Sequence, residues 1–303
     1  MQNESQNKPK KYFIWGMGLL GASLAYDLKK LGHQVFGCVR SEKNLNTLKK
    51  IGFENCYQTT DNSLWEPLKI CDGIIIGTPI DTIFPLFQKF IENNVPENIW
   101  ITDMASTKSD LIEWVNKWDE KLLIVGSHPM AGSDLGGPEN AREGLFSKAT
   151  IFITPAEKMA EKYEADVYEN TVCEIENFWK SVLANTYRVS HKNHDKWAAY
   201  LSHGLHLASC LVSHLINDIP EVYKVPYNVT GGSFRDLTRV AGSNPQLWQG
   251  IIESNLEEVT KYMQSLENLA RNWRQAMEKK ALPIAEIFEK SSEIRKKILK
   301  TSE

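Results

Sequence analysis

The sequence predicts an α/β chain, a doubly wound parallel sheet over its first half followed by an all-α second half. Three observations predict it. Up to about Pro155, short apolar runs alternate with helical patterns, the rhythm of β-α-β crossovers in a parallel sheet. The first of those runs ends in a glycine cluster, Gly16, Gly18 and Gly21, that opens onto a helical pattern. From Ala156 onward strand-like runs nearly vanish, Thr186–Ser190 apart, and patterns of 3.6-residue period take over. The expected division is a loose tail over residues 1–10, a sheet domain over 11–155 and a helical domain over 156–303.

The elements follow in order. Met1–Lys11 is polar and lacks the apolar core of a signal peptide, so it is expected to be a loose tail. Tyr12–Trp15 is the first strand, and Leu24, Leu28 and Leu31 mark the helix after it. Between them lies Gly16-Met17-Gly18-Leu19-Leu20-Gly21. Glycines there permit a tight turn, and a helix N-terminus receives a pyrophosphate. These six residues are therefore expected to bind a dinucleotide, and the sheet to be of Rossmann type. Gln34–Val39 is the second strand and runs into Arg40-Ser41. No acid stands at its end to take a ribose 2′-hydroxyl, whereas the Arg40 guanidinium and the Ser41 hydroxyl suit a 2′-phosphate, so NADP is expected rather than NAD. The alternative leaves Arg40 on the surface and gives the acidic role to Glu42.

Gly73–Gly77 and Ile99–Thr102 are the next strands; Thr78-Pro79 and Asp103 follow them at the carboxyl ends, where such sheets bind ligands. Thr78 and Pro79 are assigned to the cofactor. Ser106 is expected at the mouth beside the nicotinamide, or else as the cap of a helix starting at Lys108. Asp103 is expected to pin the loop. Leu122–Val125 is another strand, and Gly126-Ser127-His128-Pro129-Met130-Ala131-Gly132 follows it. A neutral imidazole accepts the proton of a substrate hydroxyl as hydride leaves the same carbon, which makes His128 the expected catalytic base. The competing reading is a histidine that satisfies backbone groups in a Gly- and Pro-rich loop. Thr150–Thr154 is the last strand of this half.

In the helical half one helix is expected over His191–Ile216. Trp197, Leu201, Leu205, Ala208 and Val212 form its apolar stripe, and Asp195, Ser202 and His206 share another face. Further helices are expected over Asn244–Lys279 and Pro283–Lys300. Ser202, His206, Arg235 and Arg239 are candidates for the substrate side, since arginine is the natural fork for a carboxylate. His203, Cys210 and His214 recur on one helix face, but no carboxylate accompanies them and no metal is expected. A net charge of −3 gives no basic footprint for nucleic acid or anionic membrane, so small metabolites are the expected partners. The longest apolar helix is interrupted by His203, His206 and His214 and is too short to span a bilayer. Five dispersed cysteines, at 38, 56, 71, 173 and 210, fit reduced thiols and a cytoplasmic location.

Four motifs in order resemble those of the prephenate and arogenate dehydrogenase family of tyrosine biosynthesis, over about Lys11 to Arg274. They are the glycine turn, Asp103 to Lys108 as Asp-x-x-Ser-x-Lys, His128 to Gly132 as His-Pro-Met-Ala-Gly, and Ser202-His-x-x-His206 followed by Phe234-Arg-Asp-x-Thr-Arg239. The resemblance implies that His128 takes the proton of a ring hydroxyl while hydride passes to the nicotinamide and the ring carboxylate leaves as carbon dioxide. It implies that Ser106 hydrogen-bonds that hydroxyl and His128, that Arg239 grips the ring carboxylate, and that His206 and Ser202 hold the substrate. Asp134 and Arg235 stand where some members have glutamate and lysine, an ionic gate near the substrate side chain. The implied product is 4-hydroxyphenylpyruvate from prephenate or tyrosine from arogenate, and the helical domain is implied to build a homodimer. No regulatory amino-acid-binding segment is recognised, so feedback by tyrosine would act at or near the active site. Two rivals remain: a related Rossmann reductase of the 3-hydroxyacid dehydrogenase kind, which uses a lysine or hydroxyl of its helical domain, and a non-catalytic NADP-binding sensor of the same fold.

Overall fold

A computed structural model of the chain describes residues 8–132, 135–217 and 231–299. Among them, eight strands form one sheet: β1 Lys11–Trp15, β2 Gln34–Val39, β3 Cys56–Gln58, β4 Gly73–Ile76, β5 Trp100–Asp103, β6 Leu123–Pro129, β7 Thr150–Pro155 and β8 Asn185–Arg188. The sheet order is β3-β2-β1-β4-β5-β6-β7-β8, and every neighbouring pair is parallel except β6 with β7. The helices between strands are α1 Leu19–Lys30, α2 Glu42–Lys50, α3 Trp65–Lys69, α4 Ile83–Glu92, α5 Ser109–Lys117, α6 Glu157–Lys162 and α7 Ala165–Ser181. After β8 come α8 His191–Ala198, α9 Gly204–Asn217, α10 Gly232–Thr238, α11 Pro245–Ser254, α12 Leu256–Glu278 and α13 Ile284–Leu299. The α/β Rossmann sheet with a helical C-terminal region is thus the architecture of the chain.

The central strands β1, β4 and β5 read as near-continuous apolar runs because both of their faces are covered. Phe13, Ile14, Ile74, Ile75, Ile76 and Ile101 are wholly buried. Helix α7 brings Phe178 against Tyr12 and Trp100, while the Nε1 of buried Trp179 donates to Ser127 Oγ at 3.1 Å. Where the order reverses, between β1 and β4, two crossovers leave in opposite directions and open a crevice at the strand ends.

Three elements differ from the sequence reading. Strand β6 runs on to Pro129 because antiparallel β7 pairs with it, His128 opposite Phe152, so His128 is carried on a strand and not in the loop beyond one. The helix expected over His191–Ile216 is interrupted by a π-helical segment, Ala199–His203, that inserts an extra residue between α8 and α9. The helix expected over Asn244–Lys279 breaks at Asn255, whose side chain turns inward to donate to Asp195 O at 2.8 Å.

The chain divides into two compact units, Met1–Asn255 and Leu256–Glu303. The first holds the sheet and the helices through α11. The second holds α12 and α13, where Lys261, Arg271 and Arg274 pair with glutamates three or four residues away. No helix among the described residues is long and apolar enough to cross a membrane.

Candidate active site

A cleft of about 800 Å³ lies at the carboxyl ends of β1, β4, β5 and β6. Gly18, Leu19, Leu20, Thr78 and Pro79 line one end of it, and Ser106, His128, Ser202, His206 and Arg239 line the rest. Ten of the residues singled out in the sequence therefore meet in one cavity.

The glycine turn has the shape a dinucleotide requires. Gly16 has φ +101°, and a Cβ there would meet Thr78 and Gly77 at 2.7 and 2.8 Å; a Cβ on Gly21 would meet Gly16 O at 2.4 Å. Both close the strand onto the helix. Gly18, by contrast, has nothing within 4 Å of a Cβ, and as N-cap of α1 it offers no side-chain cap, which leaves the helix amides turned to the cleft. That arrangement fits a pyrophosphate. The Met17 side chain is buried under Gly37 and beside Cys56, so only its backbone reaches this side. Arg40 is exposed at the end of β2, and Ser41 caps α2 by accepting from Asn44 N at 3.2 Å.

Asp103, at the end of β5, ties its loop together. Its carboxylate accepts from Ala105 N at 2.9 Å, Ser127 N at 3.1 Å and the wholly buried Lys108 Nζ. Ser106 is held by that loop at the cleft wall and caps no helix. The N-cap of α5 is Lys108, without a side-chain cap, and the amides of Lys108 and Ser109 donate to Asp195 at 2.8 and 2.7 Å. Next to it Thr107 Oγ1 pairs with Ser254 Oγ at 2.9 Å.

His128 is 6% exposed, and its Nδ1 lies 2.8 Å from His194 Nε2. His194 Nδ1 lies in turn 2.7 Å from Asp195 Oδ1. Burial holds His128 well below the usual histidine value, helped by the neighbouring His194, Lys108 and His203. Burial likewise lowers His194 against the opposing pull of Asp195. Burial on its own would raise the Asp195 carboxyl, but hydrogen bonds from His194 and Ser109 carry it below the ordinary range. The pair is therefore neutral imidazole beside an ionised carboxylate at neutral pH.

On the opposite wall, His206 Nδ1 donates to Ser202 O at 3.0 Å and its ring stacks on Trp248, centroids 3.5 Å apart. Burial lowers His206 too, and Arg239 adds to that. Arg235 lies on α10, exposed and not itself among the lining residues, and Asp134 lies outside the described residues. Sequence reasoning passed over His194 and Trp248. The adjacent His194-Asp195 pair in the first turns of a helix was the available signal for the first; the Asn244-Pro245 helix start, Asn244 Oδ1 capping Leu247 N at 3.0 Å, was the signal for the second.

Comparison with known proteins agrees with this geometry. The family model "Prephenate dehydrogenase, nucleotide-binding domain" matches residues 24–182, and "Prephenate dehydrogenase, dimerization domain" matches residues 190–290. The prephenate dehydrogenase of Bacillus subtilis is 27% identical over 247 residues, which cover 80% of this chain and 64% of that protein, so the chain spans less than two thirds of that relative's length. Two solved structures share the fold. Prephenate dehydrogenase from A. aeolicus, in complex with hydroxyphenyl propionate and NAD+, is 23% identical with a TM-score of 0.81 over 97% of this chain and 99% of that one. Synechocystis arogenate dehydrogenase is 24% identical with a TM-score of 0.77 over 95% and 99%. With both halves matched in order and the motif residues meeting in one cleft, the chain belongs to the prephenate dehydrogenase family.

Proposed function

We propose that the chain catalyses the nicotinamide-dependent oxidative decarboxylation of prephenate or arogenate. The observation that carries the reading is the cleft itself, in which an uncapped helix N-terminus, a buried neutral histidine and an exposed arginine converge. The α1 amides and the Gly16–Gly21 turn would hold the pyrophosphate, with Thr78 and Pro79 beside it. A nicotinamide bound there would supply the hydride acceptor. His128 takes the proton of the ring hydroxyl as the carbon bearing it is oxidised; the bond to the ring carboxylate then breaks, carbon dioxide leaves, and its electron pair completes the aromatic ring. Ser106 aligns the hydroxyl with His128. Arg239 takes the ring carboxylate through its two-pronged donor set, and Ser202 and His206 hold the rest of the ring. Arg235 and Asp134 are assigned to the substrate side chain.

For the cofactor, NADP is preferred over NAD, with the exposed Arg40 as the 2′-phosphate partner. Ser41 Oγ already accepts from Asn44 N, and its hydroxyl hydrogen is left to donate to the same phosphate. The match of residues 190–290 to a dimerization domain supports a homodimer, which light scattering on the purified protein would test. The dinucleotide-binding domain is assigned to residues 11–155 and the helical domain to 156–303, with the edge strand β8 of the sheet supplied from the latter. Cys38, Cys56 and Cys71 are buried free thiols, which supports a cytoplasmic location.

The test mixes protein with NADP or NAD and, separately, prephenate or arogenate, and follows absorbance of the reduced cofactor. Reduction with at least one pair is expected, faster with NADP. Silence in all four mixtures with cofactor still bound would move the assignment to the reductase or the sensor.

A further inference from the structure

We propose that His194 is a positioning residue that fixes the tautomer of His128, so that the reactive lone pair of His128 sits on Nε2. The proposal rests on the reading of His128 as the base. It starts from the far end of the chain of bonds, at Asp195. That carboxylate is 3% exposed and accepts hydrogen bonds from Lys108 N and His194 Nδ1 on Oδ1 and from Ser109 N on Oδ2. Two of the donors are backbone amides at the start of α5, which cannot turn away or exchange roles. Asp195 is therefore an acceptor, and the hydrogen between it and His194 belongs to His194 Nδ1.

A neutral imidazole carries one N–H. With it on Nδ1, His194 Nε2 has only a lone pair, and the 2.8 Å contact to His128 Nδ1 is a hydrogen bond only if His128 donates. His128 then carries its own hydrogen on Nδ1, and Nε2 is left to take a proton. The titratable and charged groups facing the two rings are Asp195, Asp103, Lys108 and His203, and Phe152 packs its ring against both, with Trp197 behind it. Neither lysine nor His203 offers a hydrogen bond to this pair, so the backbone-anchored carboxylate alone sets the direction of both bonds. The same chain acts during turnover. When His128 Nε2 gains the substrate proton, the new positive charge is shared along bonds that end on the ionised Asp195, and no second proton needs to move.

His194 does not itself line the cleft and meets it only through His128, so its role shows in kcat and in the tautomer and leaves substrate KM alone. The first measurement is the imidazole 15N shifts of the wild-type protein with bound NADP, His128 being assigned by its loss in His128→Asn. Nδ1–H is expected for His128, and Nε2–H would overturn the proposal without any variant. The second is a pair of substitutions. His194→Phe keeps the ring volume and removes the acceptor; it should move His128 toward Nε2–H and lower kcat by about 100-fold, part of the roughly 10²–10⁴-fold a general base supplies. His194→Gln restores an acceptor oxygen at the same reach and should recover activity to within about tenfold of wild type. A folded His194→Phe that binds cofactor normally and keeps both the Nδ1–H tautomer and full kcat overturns the proposal. If the tautomer changes and kcat does not, the hydrogen-bond chain stands and the assignment of His128 as base falls.

Discussion

Two residues in the cleft are proposed to divide the work in a way kinetics can separate. Arg239 is exposed and free to meet a carboxylate, yet gripping the departing group too firmly would stabilise the ground state and oppose its loss. Arg239→Ala is therefore expected to raise KM far more than it lowers kcat, and His128→Ala to do the reverse; steady-state rates over a substrate range check both, and equal losses of kcat would remove the distinction. As the proposed base, His128 would also set the pH profile. It must be neutral to accept a proton, and burial first, then His194, Lys108 and His203, hold it well below the ordinary value of about 6.5. Activity is retained above its folded value and lost as pH falls through it, so the acid limb of kcat/KM should lie below pH 6.5. An acid limb at or above that pH would contradict the buried, carboxylate-anchored setting. The carboxylates of the proposed substrate, entering beside the ring, would act the other way and raise the value in the complex, so the limb of kcat should lie above that of kcat/KM.

At the scale of elements, the π-helical segment decides what the helical wall presents. It puts one extra residue between α8, which carries His194 and Asp195, and α9, which begins just after Ser202 and His203. An α-helix turns about 100° per residue, so without that insertion everything past it would rotate away by about this angle. Deleting Leu201, which is 49% exposed, should restore α-helical register and carry His206 off the cleft. Loss of roughly 100-fold in kcat/KM with unchanged cofactor affinity is expected, read by kinetics beside a cofactor titration. This segment was not legible in the sequence, because a π turn has no composition of its own. Strands β1, β2, β4 and β5 were legible because buried parallel strands are unbroken apolar runs. Strand β3 was not, being three residues, Cys56–Gln58, held by β2 alone. The extension of β6 through Gly126-Ser127-His128-Pro129 reads as a loop, and only the pairing of β7, more than twenty positions on, makes it a strand. The cleft residues themselves were largely legible, since glycine, serine and histidine at strand ends have few other uses; His194 was not, for its partner His128 is 66 residues away.

Across the whole molecule, the buried histidines make stability depend on pH. His128, His194 and His203 are all lowered by burial, His203 to about 4, so between that value and about 6.5 the unfolded chain binds more protons than the folded one. Their contribution is fully present above about pH 6.5 and is lost as pH falls through the folded values. Asp195, itself lowered, loses its contribution only further down. The midpoint of thermal unfolding should therefore fall between pH 7 and pH 5, before ordinary carboxylates titrate; a midpoint flat across that window would show that these rings are not buried neutral in the folded protein. The antiparallel seam of the sheet has one more effect. His128 stands opposite Phe152 within a ladder running from Val125 to Pro129, and its ring is tied behind to His194. A proton acceptor carried on a loop can travel to meet its substrate, but one woven into a sheet cannot. On the proposed reading the acceptor is the fixed landmark, and any closing movement in a catalytic cycle belongs to the wall that bears Ser202, His206 and Arg239.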